Sequence, residues 1–211
     1  MNLIYDALPY PNFVTLAGKF LAMAYVFVLL LIVLMFTGIG IQAFSGYTDF
    51  QIGLYVQTLF SETLSFLLLF TFLGFMIQSM VNHKFVGHAL YVLFFVVTIV
   101  ITQLGFEHDM FRFGSGTLGT FSDMNNFGHY VNPFSWFSIY WFGLALVMFM
   151  IIIVFSVRGA EATAKTRLKL GKMRLTRPIL MFGFASFMVF TLSGCYIFYN
   201  TNVLNTYRNS D

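Results

Sequence analysis

The chain is short of charge. Asp, Glu, Lys and Arg make up only 9% of its 211 residues, whereas a soluble domain carries about 25%. That excludes an ordinary water-facing globule. Cysteine is nearly absent: Cys195 alone rules out an internal disulfide and a cysteine metal cluster, and within its apolar run it reads as a small buried side chain. There are four prolines, two of them (Pro9 and Pro11) bracketing Tyr10 ahead of the first apolar run; this reads as a turn leading into a helix. No phosphate-binding loop, nucleophile elbow or HExxH pair is present, so the motifs of nucleotide hydrolysis, Ser-based acyl transfer and zinc proteolysis are missing. The segment before the first apolar run is not basic, and that run is too long for a signal core, so no cleavable signal peptide is expected.

What the chain has instead is hydrocarbon. Hydrophobic residues make up 59% of it, and Phe alone fills 29 positions. The apolar runs exceed what a soluble core needs and match the roughly 20 residues that cross a bilayer as helix. We expect an all-α polytopic membrane bundle with five spans, at about 13–44, 56–80, 89–104, 137–157 and 179–199. The first is longer than the membrane is thick, so its start, with Lys19, should protrude; Gly38 and Gly40 mark its far end.

The bases set the expected orientation. With five spans, Lys19, Lys84, Arg158, Lys165, Arg167, Lys169, Lys172, Arg174 and Arg177 fall on one side, and only Arg112 and Arg208 on the other. The positive-inside rule makes the first side cytosolic. The N-terminus is then inside, the C-terminus outside, the 105–136 loop outside and the basic 158–178 loop inside. Clustered in this way, the bases point to lipid and not to nucleic acid. Lys165, Lys169 and Lys172 at helical spacing predict an amphipathic helix or helical hairpin on anionic lipid or on a cytosolic partner.

The long polar interruption, 105–141, holds most of the chemistry: Glu107, His108, Asp109, Arg112, Asp123 and His129. Zinc takes His and carboxylate ligands, but Glu107, His108 and Asp109 are consecutive and share no helical face, so no metal site is expected. Gly114, Gly116 and Gly119 read as a flexible link. The aromatics Phe127, Tyr130, Phe134, Trp136, Phe137, Tyr140 and Trp141 read first as an interfacial belt and second as a substrate surface. Glu62, near the start of the second span, is either an interfacial carboxylate or one lining a substrate path. No histidine lies mid-span, which argues against a haem-carrying anchor, since haem needs axial ligands projecting into the bundle.

Several stretches taken together carry a resemblance. They are DALPYPN (6–12), LAGK (16–19), GYTDFQIGLY (46–55), VNHKFVGH (81–88), LGFEHDMFRFG (104–114), FSDMNNFGHY (121–130), WFSIYW (136–141), VRG (157–159) and FYNTNVLNTY (198–207). In this order, and over essentially the whole chain, the sequence resembles the large bacterial ABC-transporter permeases fused to a gluzincin-type zinc aminopeptidase domain. The resemblance implies part of a type-2 permease half in the bacterial inner membrane, a fragment or a natural split product of a longer polypeptide. The peptidase's zinc and catalytic residues have no counterpart here, so neither peptidase activity nor any cofactor is carried over. ATP would be used by a separate cytosolic ABC ATPase subunit, and the other permease half or further spans would be partners. Resemblance and sidedness together make Asp6, Pro9, Pro11, Lys19, His83, Lys84 and His88 cytosolic contact residues. Glu107, His108, Arg112, Asp123, Asn125, His129 and Trp136 become an outer docking surface or gate. The expected function is a permease that moves substrate or transmits ATPase-driven motion. The alternative is a non-transporting anchor for an outer, peptidase-like domain or subunit.

Overall fold

The structure is a computed structural model; it describes residues 12–81, 83–106, 108–116, 118–122, 124–156 and 164–204. Helix α1 is Asn12–Phe44, α2 is Ile52–Met80, α3 is Lys84–Gln103, α4 is Val131–Phe155, α5 is Ala164–Arg174 and α6 is Arg177–Tyr199. There is no strand among the described residues; one isolated bridge pairs Ser122 with Asn126. Five helices, all but α5, are long and apolar enough to cross a membrane. The chain is thus a multi-pass α-helical membrane protein.

The spans start earlier than hydropathy predicts. The second begins at Ile52 and the third at Lys84, while the fourth begins at Val131 and ends at Phe155. Apolar content marks only the stretch that lipid solvates, while a helix continues through polar residues as long as its backbone bonds are made. Trp136, expected in the outer loop, therefore lies on α4. The first helix ends at Phe44, as the expected 13–44 span has it, with Gly38 and Gly40 in its last turns; a Cβ on Gly38 would meet the Tyr55 ring of α2.

α4 is the axis of the bundle. It carries eight buried residues, whereas α3 buries only Gly87. α6 packs along it through small residues. A Cβ on Gly143 would lie 2.8 Å from the Phe190 backbone nitrogen, and one on Gly194 would lie 3.0 Å from the Tyr140 ring. Small residues allow close backbone approach, which membrane helices need because lipid offers no hydrophobic drive for helix association. Ser186 and Ser193 are buried on α6, and each donates its hydroxyl one turn back, to the Phe182 and Val189 carbonyls. Buried hydroxyls are thereby satisfied without a cross-helix partner.

Two apolar cores lie at opposite ends of α4. One gathers Leu69, Phe137, Tyr140, Trp141, Ala145 and Ile197. The other joins Leu16 and Phe20 of α1 to Ile152, with Phe20 stacked 4.3 Å from Phe72 and tilted 4.7 Å from Phe75. The second core thus unites the start of α1, the end of α2 and the end of α4. The first unites the start of α4 with the end of α6. The up-and-down alternation needed for five crossings is built into these contacts.

The basic segment forms α5, docked on the C-terminal end of α4. Gly171 faces Val154, and the Arg174 guanidinium donates to the Ser156 carbonyl and, at 3.4 Å, to that of Val154. The last carbonyls of a helix have no partner within it and carry its negative dipole end, so a cation is well placed there. α5 is a single helix but not cleanly two-faced: Leu168 and Met173 are exposed together with Lys169 and Lys172. Cys195, expected to be buried, is exposed on α6.

Candidate functional site

The segment between α3 and α4 is folded down onto the helix ends. α3 ends at a glycine turn in which the Gly105 N–H donates to the Thr102 carbonyl and the Phe106 N–H to that of Ile101, with Gly105 at φ 91°. That geometry belongs to glycine, which has no Cβ to oppose a left-handed backbone.

His108 then ties the loop to the π-helical turn Asn200–Leu204 that continues α6. Its Nδ1 accepts the Met110 N–H at 3.1 Å. A neutral ring therefore carries its proton on Nε2, 3.0 Å from Thr201 Oγ1. The Thr201 hydroxyl donates onward to the Ile197 carbonyl at 2.9 Å. A second tie follows. Ser115 Oγ donates to the Asp109 carbonyl at 2.6 Å, and the Ser115 carbonyl accepts Trp141 Nε1–H at 2.7 Å. Trp141 is buried on α4, so this bond satisfies a donor that would otherwise be stranded. Arg112 and Asp109 are 3.8 Å apart and both substantially exposed, a pair of small energetic weight.

The three loop glycines act as packed turns more than as a flexible link. Gly114, Gly116 and Gly119 all have positive φ, and the last two lie directly on Phe137 and Tyr130. Between them Leu118 is completely buried. Further on, the Phe121 and Phe127 rings meet edge to face at 5.5 Å, and the Ser122 N–H donates to the Asn126 carbonyl. The aromatic group is likewise more core than belt: Phe127, Phe137, Tyr140 and Trp141 are buried, while Tyr130 is exposed. Aromatics this close to a polar loop resemble interfacial anchors in sequence, and only their burial reveals that they hold the loop in place.

Two concavities result. One, of about 550 Å³, lies between α2 and α4 beneath residues 112–116. Phe66, Phe72, Phe134, Trp141 and Phe142 form its walls, and Glu62, Ser138 and Arg112 are among its polar groups. Glu62 belongs to a π-helical stretch of α2, Gln57–Thr63. Such wide turns recur at functional sites because they re-aim side chains. The other is a larger, shallow polar basin between 47–57 and 121–131, edged by Tyr47, Asp49, Gln57, Asn125 and Asn126.

The predicted site residues do not form one site. Arg112 lines the first concavity and Asn125 the second. His108 is committed to Thr201, the exposed His129 ring lies over Tyr130, and the Trp136 ring meets that of Tyr196, tilted, at 4.0 Å. Glu107 and Asp123 lie outside the described residues. No group of three or more His, Cys, Asp or Glu capable of holding a metal occurs among the described residues.

At the other end, Lys19, His83, Lys84 and His88 are all exposed and share the α5 end of the bundle. Their contacts are local: His83 lies 5.5 Å from Phe85, and His88 Nδ1 lies 3.4 Å from Gln78 Nε2. Asp6, Pro9 and Pro11 lie outside the described residues. Glu62 was legible as a carboxylate at the membrane edge, but Ser138 and Trp141 were not legible as cavity walls, since only the fold brings α2 and α4 together. No family model matches the chain, and neither does any curated protein or any solved structure.

Proposed function

We propose that the chain is a membrane-spanning permease part of an ABC transport system in a bacterial inner membrane. It would move substrate or pass ATPase-driven motion from one face to the other. The observation that carries this reading is the double clamping of α4. Arg174 of α5 holds its C-terminal end, and Trp141 and Phe137 hold the loop at its N-terminal end. Phe137 and Ser156 are about 28 Å apart along the helix. One packed helix thus joins the base-rich end to the loop end, and a displacement applied at α5 reaches the loop without crossing a flexible joint. The resemblance of the nine sequence stretches supports the same reading, and so does the gathering of bases at one end, where the positive-inside rule puts the cytosol.

In this reading Lys19, Lys84 and α5 face a separately encoded cytosolic ATPase, which holds the ATP. The loop faces outward as a gate or docking surface. The test is recovery of the tagged chain from intact membranes with its ATPase, followed by ATP-dependent transport in vesicles. A stable complex whose ATP turnover drives no transport would make the chain an anchor. Repeated failure to recover any ATPase would count against both the coupling and the permease reading.

A further inference from the structure

We infer that the concavity between α2 and α4 is a binding site for a membrane amphiphile, specifically a single acyl chain bearing a zwitterionic ammonium–phosphate headgroup. Its volume of about 550 Å³ lies in the range of about 300–1,000 Å³ usual for ligand sites. Its shape is that of a slot. It extends from Glu62 to Phe72 on α2, about 15 Å along the helix, and from Phe134 to Ala145 on α4. A slot running with the helices fits an extended hydrocarbon chain better than a compact solute.

The slot is also open sideways. Phe66 is 44% and Phe142 60% exposed, although both line it and both belong to helices that cross the membrane. Its mouth therefore faces lipid, and a ligand enters from the bilayer without crossing water. The chemistry is graded along its length. Phe66, Phe72, Trp141 and Phe142 line the body, whereas Glu62 and Arg112 supply its two charges and Thr63, Ser65, Ser115 and Ser138 its neutral polar groups. A half-buried carboxylate on a spanning helix is costly unless it faces a cavity or a partner. A carboxylate and a guanidinium on one cavity are complementary to a ligand carrying both charges: Arg112, exchanging its exposed 3.8 Å pairing with Asp109, takes the phosphate as a forked donor and Glu62 takes the ammonium. Glu62 was assigned no partner by the sequence; here it acquires one by class. The binding claim does not depend on the permease reading. If that reading holds, zwitterionic amphiphiles become its candidate cargo.

Trp141 lines the slot and so reports on it. With Trp136→Phe it is the only tryptophan. The protein in detergent is titrated, at fixed total micelle concentration, with lysophosphatidylethanolamine carrying a dibrominated chain, a contact quencher. The inference expects saturable quenching. It expects Arg112→Ala to weaken the midpoint about 10-fold, as for loss of a charge-assisted hydrogen bond, and Glu62→Gln to weaken it several-fold. Ser138→Phe, which fills the slot, should remove the saturable phase. Brominated monoacylglycerol, lacking both charges, should bind at least as weakly as the zwitterionic probe binds to Arg112→Ala. Quenching that rises linearly with mole fraction and ignores all three substitutions would overturn the site. Saturable quenching that is equal for both probes would overturn the headgroup assignment. Neither result involves an ATPase, so failure here is distinct from failure of the transport reading.

Discussion

Replacing Gly116 by alanine should release the loop from the bundle, and the size of the effect can be worked out. Gly116 has φ 102°, where a side chain costs about 1–3 kcal/mol in backbone strain. Its new Cβ would lie 2.5 Å from Phe137 Cβ and 2.7 Å from Cγ. The Phe137 Cβ is fixed by the backbone of α4, so no rotamer change clears it, and overpacking adds about 1–3 kcal/mol. Against this stand the burial of Leu118, about 1.5–3 kcal/mol, and the Trp141–Ser115 hydrogen bond, about 1 kcal/mol. The penalty matches what seats residues 115–118 on α4, while the His108–Thr201 bond and the buried Phe127 hold the loop's flanks. Gly105→Ala is the control: its φ is 91°, but nothing lies within 4 Å of its Cβ, so it carries strain without collision. Arg112 lies in the loop, and tryptic cleavage after it reports the fraction of detached loop when reclosing is fast. Gly116→Ala should be cut about 10-fold or more faster than Gly105→Ala, since about 1.4 kcal/mol is one decade. Trp141 emission should shift to the red in parallel. Equal cleavage of the two variants would refute the claim that the loop is seated on α4.

Gly143→Ala places a Cβ 2.8 Å from the Phe190 nitrogen and 2.9 Å from its Cα. It should cost about 1–3 kcal/mol, seen as a lower thermal midpoint in detergent, whereas Gly87→Ala, opposed only by the flexible Gln78 amide, should cost less. A double-mutant cycle of His108→Ala with Thr201→Val should give a coupling of about 0.5–1.5 kcal/mol, and additive effects would mean that the two side chains do not meet. Arg174→Ala should loosen α5 from α4 and raise cleavage at the neighbouring lysines, with Arg174→Lys restoring part of the protection through the remaining charge at the helix end.

Much of the fold was legible because bilayer solvation is a strong constraint. A run such as the one holding Leu29, Leu30 and Leu31 admits few readings other than a spanning helix. Boundaries were less legible: Lys84 and Ser135 are helical for reasons of backbone bonding, to which hydropathy is blind. The loop was misread in character. Gly114, Gly116 and Gly119 look like a spacer in sequence because nothing in it records a positive φ or the proximity of Phe137 and Tyr130. The cavity was almost invisible, since its walls come from α2, α4 and the loop, and phenylalanines are so common here that none stands out. Glu62 stood out because carboxylates are rare, but its neighbour Arg112 is 50 positions away in the chain and joins it only through the fold.

Loop, clamped helix and slot all require α4 to cross the membrane with the loop at one end and α5 at the other. In a Cys195→Ser background, single cysteines replace Asn125 in the loop and Lys169 on α5, both exposed, and intact cells are treated with a membrane-impermeant thiol reagent. We expect Asn125→Cys to label at once and Lys169→Cys to label only after the membrane is opened. Labelling of both from the same side would contradict the crossing, and with it the architecture on which the loop, the clamped helix and the slot all depend.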